Sequence, residues 1–346
     1  MAATKQVRVG IAGIGFMGVT HYGAFGKIPG AKVVAIADND PKKQAGDWTG
    51  IRGNFGSGGG KVDLTNTKVF ESYQEMAKDP DIDLIDLCLP TPLHKKAAVH
   101  CLKAGKHVLV EKPIALNLED ASSMIKASKK SGSHLFVGHV LRFFPEYRFL
   151  KKVYDEGKYG KLLAAHFRRM IAKPNWSGGE NWFSDPKKTG GATLDLHIHD
   201  ADFILHLLGE PKSVESRGVP AGHGMFDYLT NQYHYGKKGP IVSCEGGWIA
   251  TAALPFEQSY EVYFEEASIF FNSSTQPVTI YKPDGKKEKA RLPKEDGFYA
   301  ELKAIIDPLK KGEEPQDLLG TSARRSLALC LAEQKSAKTG KPVKLG

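Results

Sequence analysis

The sequence predicts an α/β protein in two domains, with a parallel sheet in residues 1–140 and mostly antiparallel strands in residues 141–346. Three observations carry this reading. A short β-rich run, Val7 to Ala12, breaks into Gly13-x-Gly15-x-x-Gly18 and then into a helix-forming stretch. Up to residue 138, apolar strand runs recur with helical segments between them, the pattern of parallel βαβ units. Beyond residue 140 the runs alternate polar and apolar side chains, as antiparallel strands with one solvated face do.

Size and composition agree. The chain has 346 residues, 41% hydrophobic and 25% charged, enough for two cores. It has no run of about 18 apolar residues, so no membrane span is expected. The first residues lead straight into the first strand, and a cytoplasmic location is the expectation. Cys88, Cys101, Cys244 and Cys330 show no CxxC pair or finger spacing and read as reduced, mostly buried thiols. The net charge of +9 comes from lysine pairs spread along the chain, not from a basic patch. A nucleic-acid partner is therefore not expected.

Within the first domain, the strand–turn–helix context turns the glycines into a dinucleotide fingerprint. Gly13 permits the tight turn, Gly15 lets a pyrophosphate approach the backbone, and Gly18 lets helix and strand pack closely. The helix, read over 19–26, offers unpaired N–H groups to phosphates, with Phe16 and Met17 in the same turn. The second strand, Lys32 to Ala37, ends at Asp38, whose spacing from the glycines suits the carboxylate that binds ribose hydroxyls. Asn39, Asp40 and Pro41 follow, with no arginine for a 2′-phosphate, so NAD is favoured over NADP. The glycine-rich stretch 50–60 reads as a solvated insertion.

The strand Asp83–Leu89 stops at Pro90-Thr91-Pro92, a helix runs from His94 to Ala104, and the strand His107–Val110 delivers Glu111-Lys112-Pro113. Ligands of open parallel sheets sit outside the carboxyl ends of the strands, which places Thr91 and Lys112 on the cofactor side. A helix over 118–130 and a strand over 133–138 complete the domain.

In the second domain, the strand Leu162–Ile171 puts His166 and Arg168 on one face and Phe167 and Arg169 on the other. Strands are also read at 241–250, 258–265 and 267–272, with loops around 174–184 and 220–232. Trp176, in the loop Lys173–Gly179, suits either a sugar-binding lip or an apolar anchor. A helix is predicted from Thr193 to Leu208, with Asp195, His199 and Asp202 sharing a face at i, i+4 and i+7. Asp195-x-His197-x-His199 looks superficially like a metal cluster, but residues two apart on a helix point to nearly opposite sides, so no metal is expected. An open apolar sheet face would be a natural oligomer interface.

The run Gly10–Gly18, the segment Ala104–Pro113, Arg142-Phe143-Phe144-Pro145, the stretch Gly190–Asp200 and the closing run Asp317–Leu345 together resemble the glucose–fructose oxidoreductase, inositol dehydrogenase and rhizopine-catabolism family. The resemblance covers essentially the whole chain. It implies a Rossmann domain followed by an α/β domain with a large, open, mostly antiparallel sheet. It also implies pyridine-nucleotide-dependent oxidation or reduction at a sugar or cyclitol carbon, in a homodimer or homotetramer.

The roles it implies fall on Lys112, Asp195 and His199 as catalytic groups. Gly13, Gly15, Phe16, Met17, Gly18, Asp38, Thr91, His94, Glu111 and Lys112 are expected at the cofactor from their places in the chain, and Arg168, Trp176 and His197 are candidate substrate contacts, His197 alternatively capping a helix turn. Two departures stand out: Pro90-Thr91-Pro92-Leu93-His94 replaces the family's Thr-Pro-Asn-x-x-His, and His197 stands where the family often has a small residue. The alternatives to a dehydrogenase are a cofactor-sensing regulator and an NAD-dependent glycosidase of the same fold.

Overall fold

The computed structural model describes residues 6–53, 58–174, 185–222 and 224–345. These form two compact units, residues 1–140 with 296–324 and residues 141–295 with 325–346.

The first unit is a doubly wound sheet. In chain order it contains β1 (Val7–Ala12), α1 (Phe16–Phe25), β2 (Ala31–Ala37), α2 (Pro41–Gln44), β3 (Lys68–Phe70), α3 (Tyr73–Met76), β4 (Leu84–Leu87), α4 (His94–Lys103), β5 (His107–Glu111), α5 (Leu118–Ser131) and β6 (Leu135–Gly138). The strands pair in the order β3-β2-β1-β4-β5-β6, all parallel. Strand order reverses between β1 and β4, which is where such sheets bind their ligands.

Central strands covered on both faces need apolar side chains on both, and Val9, Ile11, Leu84, Ile85, Leu87, Val108, Leu109 and Val110 are fully buried. Helix α5 shows how local chemistry sets an end. The Asn117 side chain accepts from the Asp120 N–H, acidic residues fill the first turn, and Gly132 closes it at φ 72°.

The expected division into 1–140 and 141–346 needs correcting. Residues 296–324 return to the first unit. Helix α9 (Gly297–Lys311), capped by the Asp296 side chain, brings Phe298 against His21 of α1, ring centroids 6.2 Å apart. Further along, Val137 N–H donates to Leu318 O at 2.8 Å, and Arg324 Nε donates to Ser122 Oγ at 2.8 Å.

The second unit contains α6 (Pro145–Asp155), β7 (Leu162–Ala172), α7 (Pro186–Thr189), a π-helical turn (Thr193–His197) and α8 (Ile198–Leu208). Strands follow as β8 (Ser213–Gly222), β9 (Met225–His234), β10 (Ile241–Ala250), β11 (Glu257–Phe264), β12 (Ser268–Asn272), β13 (Gln276–Tyr281) and β14 (Lys287–Lys289). The chain closes with α10 (Gly320–Thr339) and β15 (Val343–Lys344).

The nine-stranded sheet runs β14-β13-β12-β11-β7-β10-β9-β8-β15, antiparallel except for the β7–β10 pair. Residues 220–232, read from sequence as a loop, belong mostly to β8 and β9, which pair from Ser213↔His234 to Gly222↔Met225. Pro220 and Gly222 hid the strand because they punctuate it, and the register shifts at both.

Period-two alternation sets β7 in the sheet. Phe167 and Arg169 are buried, whereas Arg168 lies on the opposite, partly exposed face. On the buried side Phe167, Tyr147, Phe203 and Tyr260 form an aromatic cluster, with Tyr147–Phe203 centroids 4.9 Å apart and nearly perpendicular. Edge-to-face contact of this kind adds to plain area burial. Phe203→Ala empties the centre of this cluster and is expected to destabilise the second unit by about 3–5 kcal/mol. The urea midpoint of the mutant against the wild type measures it, and an unchanged midpoint would count against this packing.

Candidate active site

The glycine turn has the geometry its spacing implies. Gly13 has φ +91°, and a Cβ there would lie 2.5 Å from the Cys88 carbonyl oxygen. A Cβ on Gly18 would lie 2.2 Å from the Gly13 oxygen. Both positions require glycine because backbone passes directly against them. Gly15 differs, since a Cβ there would meet nothing within 4 Å. That open space lies at the N-cap of α1, where no side chain caps the helix. An uncapped N-terminus beside an open glycine suits a pyrophosphate.

Phe16 and Met17 occupy the first turn of α1 and are half-buried. Asp38 stands just after β2, accepting from Ile14 N–H at 2.7 Å and Asp40 N–H at 3.0 Å, so its carboxylate braces the glycine turn. Lys43 Nζ approaches it at 3.4 Å. Sequence reasoning looked for an arginine next to Asp38 and missed this cation, which the short helix α2 brings back.

The glycine-rich stretch has exposed residues at Gly50, Arg52 and Gly60, with packed anchors beside them. Trp48 is 1% exposed and meets Tyr22 edge-on at 5.0 Å. A Cβ on Gly53 would lie 2.3 Å from the Phe16 ring.

Beyond β4 and β5 the expected cofactor residues separate by role. Thr91 opens a short 3-10 turn and is partly exposed. Lys112 follows β5 and is half-buried, its N–H donating to Glu111 Oε2 at 3.2 Å. His94 and Glu111, expected at the cofactor, are buried and used inside the unit. His94 places Nδ1 2.9 Å from Pro113 O and Nε2 2.8 Å from Leu89 O, tying together the loops that carry Thr91 and Lys112. Burial holds the His94 pKa below the ordinary imidazole value, against those carbonyls. Glu111 Oε1 lies 3.3 Å from His21 Nε2.

In the second unit the helix expected at Thr193–Leu208 begins as a π-helical turn and continues as α8. Single π-turns inside helices are often found at functional sites. From Thr189 to Ile204, every residue is buried except Asp195 and His199, which are partly exposed. The expected three-residue face is corrected at Asp202. It is fully buried, its Oδ1 2.6 Å from Arg142 Nη2 and accepting from Ser326 Oγ at 2.6 Å.

Asp200, next to His199, is buried against Arg169 Nε at 2.6 Å. His197 is also corrected. It is fully buried, with Nε2 3.0 Å from Glu333 Oε2 and 3.1 Å from Asn231 Nδ2, so it braces the helix from within. Three charged pairs thus hold the one stretch from which Asp195 and His199 emerge.

Arg168 is corrected as well. It lies on the sheet face opposite Phe167 and Arg169, donating to Glu245 Oε1 at 2.7 Å and pairing with Glu257. Tyr228 OH donates to the other Glu245 oxygen at 2.6 Å. Trp176 lies outside the described residues.

The first unit carries a dinucleotide turn and a lysine at a later strand end, and the second carries a partly exposed carboxylate and imidazole on a braced stretch. The description "Oxidoreductase family, NAD-binding Rossmann fold" matches residues 7–139, and the GFO/IDH/MocA C-terminal domain matches residues 147–270. The chain belongs to the GFO/IDH/MocA family, binds NAD and is an oxidoreductase.

It is 26% identical to myo-inositol 2-dehydrogenase of Thermotoga maritima over 98% of each chain. It is 29% identical to 1,5-anhydro-D-fructose reductase of Ensifer adhaerens over 80% of this chain and 84% of that one. A crystal structure of a probable dehydrogenase from Thermotoga maritima superposes with a TM-score of 0.77 at 26% identity, covering 98% of both chains. Among the described residues, no helix is long and apolar enough to cross a membrane.

Two expectations follow. Gly18→Ala should weaken NADH binding by roughly tenfold or more, read by fluorescence titration, because the added methyl cannot fit beside the Gly13 carbonyl. The second concerns His197. Burial pushes its pKa down, but Glu333 overrides this and the net direction is up. A raised folded pKa gives stability that is fully present below the ordinary value of about 6.5 and is lost as pH rises through the folded value. The urea midpoint should therefore fall between pH 6 and 9, and fall less in Glu333→Gln. A midpoint that climbs over that range would contradict the pairing.

Proposed function

We propose that this chain oxidises a secondary alcohol of a sugar, cyclitol or sugar derivative, with NAD as the acceptor and NADP less favoured. When bound, the nicotinamide supplies the hydride acceptor. His199 takes the hydroxyl proton as hydride leaves the carbinol carbon, the general-base role that imidazole side chains commonly fill. Lys112 hydrogen-bonds the reacting oxygen and stabilises its developing negative charge. Asp195 orients a substrate hydroxyl. Gly13, Gly15, Phe16, Met17, Gly18, Asp38 and Thr91 hold the cofactor.

The observation that carries this reading is the selective exposure of Asp195 and His199 in the otherwise buried, charge-braced stretch Thr189–Ile204. The inositol and anhydro-sugar names of the two curated relatives support the substrate class. Free thiols at Cys88, Cys101, Cys244 and Cys330 support a cytoplasmic location. The partly exposed sheet face carrying Arg168, with Ile249 and Tyr263 exposed, supports a homodimer or homotetramer, which light scattering after gel filtration tests.

Absorbance at 340 nm tests the reaction. Protein is mixed with NAD or NADP and a panel of inositols, aldoses, sugar acids and nucleotide sugars. A rise with NAD and one substrate class is expected. Silence across the panel with NAD bound would contradict the proposal and favour the sensing or glycosidase alternatives. Lys112→Ala should lower kcat by roughly 10²–10³-fold while NADH affinity changes only a few-fold. Unaltered turnover would remove Lys112 from the mechanism.

A further inference from the structure

Helix α1, which begins at the glycine turn, carries a buried imidazole that the reaction scheme leaves unused. His21 is fully buried, and so is Asp86, in the middle of β4. A carboxylate inside a central strand is costly unless a cation or donors meet it. His21 Nδ1 lies 2.8 Å from Asp86 Oδ2 and 3.6 Å from Cys88 Sγ. Its other ring nitrogen forms no hydrogen bond but lies at ion-pair distance, 3.3 Å, from Glu111 Oε1, and Glu111 Oε2 accepts the Lys112 N–H at 3.2 Å.

Room for the Glu111 carboxylate exists because residue 138 is glycine; a Cβ there would lie 3.1 Å from Oε1. The ring is walled by Phe25 of its own helix and Phe298 of α9, with centroids 6.4 and 6.2 Å away. The result is a continuous buried chain, Asp86–His21–Glu111–Lys112, from the helix at the glycine turn to the strand end that bears the lysine.

We propose that His21 is a positioning residue for Lys112, bridging Asp86 and Glu111 so that the cofactor helix and the lysine-bearing strand end are held as one piece. The bridge is a hydrogen bond to Asp86 on one side and an ion pair with Glu111 on the other, and a carboxylate on each side is answered by the charged imidazolium. The titratable groups facing the ring are Asp86 and Cys88 from β4 and its end and Glu111 from β5, and Lys112 faces Glu111 in turn. Burial opposes the charge on His21, but Asp86 and then Cys88 override it and the net direction is well upward. His21, Asp86 and Cys88 also have donor atoms within 4.8 Å of one another, but the 2.8 Å imidazole–carboxylate separation is that of a hydrogen bond between them.

The inference rests on the role given to Lys112, and the test keeps the two apart. Nitrogen-15 NMR of histidine-labelled protein, with the His21 signal assigned by its loss in His21→Gln, should show an imidazolium persisting above pH 8. Asp86→Asn, which keeps the side-chain shape, should return it to a neutral ring at pH 7. Hydrogen exchange of the Lys112 amide should quicken by roughly tenfold in both variants as its acceptor loosens.

With the alcohol that the absorbance screen identifies, kcat of His21→Gln should fall by about tenfold with KM little changed, the size of loss that slight misplacement causes. The alkaline limb of kcat in Asp86→Asn should move to lower pH, because the imidazole then loses its proton earlier. A neutral His21 in the wild type, or unchanged Lys112 exchange in both variants, overturns the proposal. Full turnover in Lys112→Ala would instead overturn the catalytic role of Lys112, while the NMR and exchange results would stand.

Discussion

Buried charge, and the need to match it, organises the second unit. The stretch Thr189–Ile204 carries Asp200 and Asp202 in full burial. Neither can stay ionised there without a partner, and each has an arginine fixed by another element, Arg169 on β7 and Arg142 just before α6. Leaving one member of such a pair alone typically costs about 3–5 kcal/mol, so the helix cannot rotate or slide without breaking several pairs together. His197 and Glu333 add a third anchor from α10. The consequence is functional. With its neighbours committed inward, the stretch Thr189–Ile204 leaves Asp195 and His199 partly exposed, and buried pairs set their relative position.

The first unit obeys the same constraint. Asp86 interrupts an apolar strand, and His21 answers it from the helix at the glycine turn. Gly13 and Gly18 lack side chains because backbone passes against them, and Gly15 leaves open space at the start of α1. Where a strand end must present a lysine, the residue before it turns inward. Glu111 therefore matters as the inward partner that gives Lys112 a fixed backbone neighbour.

Much of this was legible in the sequence, for identifiable reasons. The glycine turn, the strand end at Lys112 and the alternation in β7 are local signals, and local periodicity reads them. The pairing partners were not legible. Arg142 is 60 residues from Asp202, and Glu333 is 136 residues from His197, counting from their positions. No spacing rule links residues that distant. His197 was a candidate substrate contact because it stands where the family often has a small residue, and nothing local shows that its face of the helix is buried. The π-turn shifted that register as well. The return of residues 296–324 to the first unit was hidden for the same reason, since α9 looks like any amphipathic helix until its partner α1 is known. The strands β8 and β9 were missed because proline and glycine mark a bulge as readily as a loop.

Isotope transfer reads the proposed passage of hydride from a carbinol carbon to the cofactor without an intermediary. The protein is incubated with NAD and an inositol deuterated at every ring carbon, and the recovered NADH is examined by proton NMR. The account predicts one deuterium at C4 of the nicotinamide per turnover, on a single face. NADH that carries only protium at C4, or substrate consumed with no NADH released, would contradict it.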